Sequence, residues 1–123
     1  MDLQEKINKA VALKKQGKLV EALGVYDDVY NILVKEATKH ANGIEGSTID
    51  AGKASTIMPK FFKEADKYLK KDRTACVVAN NMGTIFAELG DFENAKKMFN
   101  DAINLTPNDF DYKDPHIALE QLK

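Results

Sequence analysis

Apolar residues recur every three or four positions along most of the chain, and they never alternate with polar ones for long enough to make a strand. Leu3, Ile7, Ala10, Val11 and Leu13 form one helical stripe, which Gly17 ends. Leu19, Ala22, Leu23, Tyr26, Val29, Tyr30 and Leu33 form a second, and the polar run 35–41 is able to extend that helix by two turns. The pattern then fails. Over residues 42–58, Gly43, Gly46 and Gly52 with several Ser and Thr dilute the apolar positions, which predicts a long irregular connection or a short divergent helix around Ile49 to Met58. Pro59 suits the first turn of a following helix, with Phe62, Ala65 and Leu69 along one side to Lys71. Asp72 or Thr74 then caps a helix carrying Cys76, Ala79, Met82, Gly83 and Phe86, stopped by Gly90. Asp91 caps the next, whose buried side is Phe92, Ala95, Phe99, Ala102 and Ile103 before Pro107. Asp114-Pro115 reads as cap and first residue of a short terminal helix with Ile117, Ala118, Leu119 and Leu122. The predicted fold class is all-α.

Two of these segments resemble each other. Gly17-Lys18-Leu19-Val20-Glu21-Ala22-Leu23-Gly24-Val25-Tyr26 aligns without gaps on Gly90-Asp91-Phe92-Glu93-Asn94-Ala95-Lys96-Lys97-Met98-Phe99, both reading Gly-polar-apolar-x-x-Ala-x-x-x-aromatic. Glycine permits a tight turn between antiparallel helices, alanine their close approach, and the aromatic fills the space between neighbouring pairs. The copies lie 73 residues apart. A helix-pair repeat of about 34 residues places one further, slightly long unit between them.

Composition narrows the class without naming a chemistry. The chain has 123 residues, 18 Lys+Arg against 19 Asp+Glu, a net charge of −1 and one Cys. That length suits one domain over 1–123 with a single apolar core. Cys76 alone excludes an internal disulfide or a Cys-based zinc cluster and suits a reducing compartment. A polar start and no apolar run long enough to span a bilayer predict a cytoplasmic protein without membrane attachment.

The stretch Ala79-Asn80-Asn81-Met82-Gly83-Thr84-Ile85-Phe86-Ala87-Glu88-Leu89-Gly90-Asp91-Phe92, continued by Ala95, Phe99, Ala102, Ile103 and Pro107, resembles a tetratricopeptide repeat over about 76–109. A first repeat over about 3–36 keeps Ala10, Leu13, Gly17, Leu19, Ala22 and Tyr26, but carries Lys6 and Lys9 where the family has an aromatic and a leucine. A middle unit over about 37–75 fits only through Met58, Phe62 and Ala65. The resemblance implies stacked antiparallel helix pairs in a right-handed superhelix, whose concave groove binds a peptide or partner protein and whose activity is recognition without catalysis or cofactor. It places Ile7, Val11, Lys14 and Lys15 of the first repeat, and Val77, Asn80, Thr84 and Glu88 of the last, on the inner side. Asn80 and Asn81, whose amides bond a peptide's N–H and C=O together, are the leading candidates, with Thr84, Glu88, Lys14 and Val11 beside them. Asn81 has a structural alternative, as a bridge between neighbouring helices. The lysines and asparagines with which one subgroup grips a peptide's terminal carboxylate are largely missing, since Ile7, Val11 and Val77 stand in their places.

Lys60, Lys63, Lys67, Lys70 and Lys71 form a basic stripe that attracts an acidic partner or a phosphate backbone; without interleaved aromatics it makes a poor nucleic-acid platform, and Glu64 and Asp66 partly neutralise it. A self-associating scaffold, or homo-oligomer with exchanged helices, is the alternative from a different class. Other motifs fail. Gly46 to Lys53 has one residue too many for a phosphate loop and Ala54 in place of its hydroxyl. Asp109, Asp111 and Glu120 have calcium-loop spacing, but Asp114 replaces the required glycine. His40, His116 and Cys76 fit no catalytic or metal-ligand spacing, and Cys76 is expected in the core.

Overall fold

The computed structural model describes residues 2–45, 67–71 and 73–122, with only the backbone described over 41–45. Among these residues the regular structure is helical: α1 (Leu3–Lys15), α2 (Leu19–Glu45), α3 (Thr74–Glu88), α4 (Phe92–Asn104) and α5 (Asp114–Gln121), with a further helical turn at 67–69.

The two turns that the repeated glycines predict are built alike. Gly17 and Gly90 adopt φ of +79° and +82°, left-handed values at which a side chain would be strained. Each turn is closed by a bond that reaches back over it, from Lys18 N–H to the Leu13 carbonyl and from Asp91 N–H to the Phe86 carbonyl, both at 2.9 Å. Helix starts differ more. Asp91 caps α4 by accepting from Asn94 N–H at 3.3 Å, as expected, and Asp2 caps α1 by accepting from Glu5 N–H at 2.8 Å, which the apolar pattern did not reveal. At α3 the cap position falls on Arg73, whose side chain makes no capping bond, so Thr74 is already helical. Asp72 lies outside the described residues. The last helix begins one residue earlier than expected, with Lys113 in the cap position and Asp114-Pro115 inside the first turn.

Helix α2 corrects the boundary of the irregular connection. It runs through residues 42–45 to Glu45, so any such connection begins later, and its remainder lies outside the described residues. At 27 residues α2 is about 40 Å long, twice the length of α1. Gly43 is tolerated there because one glycine weakens a helix by only about 1 kcal/mol.

Buried faces assemble in chain order. Ala10 of α1, Ala22, Tyr26 and Val29 of α2, Val78, Ala79, Met82 and Ile85 of α3, and Met98 and Ala102 of α4 form one continuous core. The first helix pair packs directly on the last through α2 against α3; most of the middle unit expected over about 37–75, with Met58, Phe62 and Ala65, lies outside the described residues. The packing of α2 on α3 rests on complementarity of size: Tyr26 and Val29 fill the space beside the small Ala79 and the flexible Met82. A smaller core of Ala75, Cys76 and Leu105, with Tyr30, Leu33, Leu69, Val77, Phe110 and Tyr112 packed around it, joins α2, α3 and the segment before α5. Cys76 is fully buried there and its thiol donates to the Arg73 carbonyl at 3.3 Å. Phe92 departs from expectation, being 53% exposed, because the side of α4 facing α3 is Ala95, Met98, Phe99 and Ala102.

Candidate functional site

Each helix packs on the next in chain order, and α5 also touches α3. Between α1 and α3 opens a groove of about 350 Å³ lined by Val11, Lys14, Lys15, Tyr26 and Asn81. Three residues singled out from the sequence, Val11, Lys14 and Asn81, thus meet in one place, joined by Lys15. Tyr26, the aromatic of the repeated pattern, is the residue that sequence reasoning assigned to packing alone.

Tyr26 is 1% exposed, yet its hydroxyl accepts a bond from Asn81 Nδ2 at 3.3 Å across the joint between α2 and α3. Burial pushes its pKa up, partly offset by that bond. Asn81 therefore takes the bridging role, while the rest of its amide borders the groove. At one end, Lys14 Nζ stands 3.8 Å from Glu88 Oε1, linking α1 to α3. Both side chains are partly exposed, so this pair contributes little stability and is open to exchange with another charged group.

The neighbouring stretch of α3 is used differently. Thr84 donates its hydroxyl to the Asn80 carbonyl at 3.1 Å, one turn back. With Ala87 and Glu88 it lines a second groove of about 270 Å³, bordered by Ala118 and Gln121 of α5, by Leu122 just beyond it, and by Phe99. Asn80 is only 8% exposed and lies beside Tyr112. Of the basic stripe, Lys67, Lys70 and Lys71 are described, and Lys71 sits 4.0 Å over the Tyr68 ring; Lys60 and Lys63 lie outside the described residues, as does the Gly46 to Lys53 stretch. Among the described residues no three His, Cys, Asp or Glu gather in a metal-ligand cluster, and Asp111 instead faces Lys113 Nζ at 3.9 Å.

The grooves rest on how closely α3 and α4 approach. A Cβ on Gly83 would meet two Phe99 ring carbons at 2.7 Å, so glycine is required where the aromatic of α4 crosses α3. Ala10 and Tyr26 hold the same places in the first pair, at the same positions relative to the glycine turn. Residues 78–109 match the family model described as tetratricopeptide repeat. Over these residues the last helix pair is similar to a tetratricopeptide repeat. As a class, such repeats stack into concave surfaces that serve protein–protein interaction. No curated protein and no solved structure matches the chain. No helix among the described residues is long and apolar enough to cross a membrane.

Proposed function

We propose that the protein is an interaction module that holds a segment of a partner protein in the groove between α1 and α3. The observation that carries this reading is the convergence of Val11, Lys14, Lys15, Tyr26 and Asn81 on one open groove beside a helix pair similar to a tetratricopeptide repeat. The groove has an apolar wall in Val11, hydrogen-bonding capacity in Asn81 and Tyr26, and two ammonium groups from the last turn of α1. Such a mixture suits an extended peptide: its backbone needs both a donor and an acceptor, and its side chains need apolar and charged contacts at alternate positions.

The test is placement of a photo-reactive amino acid at Val11, with the exposed Lys39 on the remote part of α2 as control. Irradiation is expected to capture a discrete partner from Val11 and not from Lys39. For the partner so identified, Lys14→Glu and Asn81→Ala are each expected to weaken binding about tenfold, the loss of one contact of about 1.4 kcal/mol. Unchanged affinity in both variants would remove the groove from the account.

A further inference from the structure

Asn80, Thr84 and Glu88 follow one another at four-residue spacing and so share one stripe of α3, of which Thr84 and Glu88 line the groove beside α5. Only the end of that stripe nearest Glu88 is open. The chain itself covers the other end. Residues beyond α4 turn back through Phe110 N–H to the Pro107 carbonyl at 3.1 Å and Tyr112 N–H to the Phe110 carbonyl at 3.0 Å, laying both rings against Ala75, Cys76 and Leu105. The rings stack with centroids 4.9 Å apart and planes 9° from parallel, and the Arg73 guanidinium lies 4.2 Å over Phe110.

This cover leaves a polar debt. Asn80 lies beside the Tyr112 hydroxyl, and its Oδ1 is buried without a hydrogen-bond partner. A buried amide oxygen of this kind is costly, and the great majority in native proteins are satisfied. An extended peptide backbone supplies both an N–H for Oδ1 and a C=O for Nδ2, which the present occupant does not. The covering segment is held by its ring contacts and two short turns. It lacks regular structure, and it leads into a helix of eight residues with no side-chain cap.

We propose that the Asn80 end of the α3 stripe is a recognition position for an extended partner segment with two aromatic side chains spaced two residues apart, held in cis by Phe110–Asp111–Tyr112 until the partner displaces it. The proposal rests on the reading of the protein as partner-binding, and extends it from the α1–α3 groove to a covered position. Phe110 and Tyr112 show the chemistry that fits: flat rings against small side chains, a cation above one ring, and a hydroxyl beside the asparagine.

Cys76, fully buried beneath these rings, reports displacement. In the intact protein, its reaction with Ellman's reagent is expected to proceed through local opening, with a rate that hardly responds to low urea. A rate following the full urea dependence of global unfolding would overturn the proposal. The occupant itself is tested in trans with a fluorescein-labelled synthetic peptide of residues 107–113. It is expected to bind the Phe110→Ala/Tyr112→Ala protein at least about tenfold more tightly than the wild type, and to lose that advantage when Asn80→Ala is added. Equal binding to both proteins, or none to the vacated one, would also overturn it. The thiol measurement needs no substitution, so it stands even where the double variant folds poorly. Failure of the α1–α3 groove would show separately, in the Val11 cross-link.

Discussion

Gly83 is the residue on which the closest helix contact depends. Its missing side chain lets the Phe99 ring lie against the α3 backbone, and any Cβ would have to push that ring or the helix aside. Gly83→Ala is therefore expected to destabilise by about 1–3 kcal/mol, the usual cost of overpacking, read from the urea midpoint. Adding Phe99→Leu should recover part of the loss, giving a coupling that a double-mutant cycle measures. The sequence placed Gly83 on the buried side of its helix but did not show that Phe99 demands a glycine there. The fate of Asn80 was not legible. Position on a helix face says which side a residue shares, but the Tyr112 ring that covers it arrives from a segment without periodicity.

Among the described residues, helices were read correctly wherever the apolar period was strong, and least well at their ends. Asp91 shows what a cap contributes: it bonds the Asn94 N–H through one oxygen and the Asn94 side chain through the other at 2.7 Å. Asp91→Ala is expected to cost about 1 kcal/mol, measured as a lower urea midpoint, while substitution of the uncapping Arg73 by Lys should leave helix α3 unchanged. The extension of α2 to Glu45 escaped the sequence reading for a physical reason. Its last turns carry Gly43 and few apolar residues, while Ala37 is buried and His40 packs a ring 4.8 Å from Tyr68. Tertiary contact there outweighs a weak local preference. Phe92 was misassigned because a helix's first residue can continue the stripe and still point past the end of its neighbour.

Tyr26 sits between α2 and α3 and Tyr112 against the start of α3, and their burial gives the molecule a pH limit. Burial, then the nearby Asp114 and Cys76, push the Tyr112 pKa up to about 12, against a lowering from the neighbouring Asn80; burial likewise raises Tyr26 at the α2–α3 joint. A phenol whose folded pKa exceeds its unfolded value of about 10 stabilises fully below that value. As pH rises from there toward the folded pKa, the unfolded chain sheds the proton that the folded one retains, so stability falls. The urea midpoint is expected to decline with pH above about 10, and Tyr112→Phe to remove its share of that decline. A midpoint independent of pH across that range would contradict the assignment.

Direct packing of α2 on α3 also means that the described residues on either side of 46–66 meet through surfaces of their own. Every contact described between the two helix pairs, from the shared core to Tyr26–Asn81 and Lys14–Glu88, runs between residues 2–45 and 67–122. Severing the backbone between those ranges leaves each contact available, at the cost of making it bimolecular. Co-expressed as two polypeptides divided within 46–66, the halves are expected to find each other and co-purify as one particle, which would make this fold a natural split reporter.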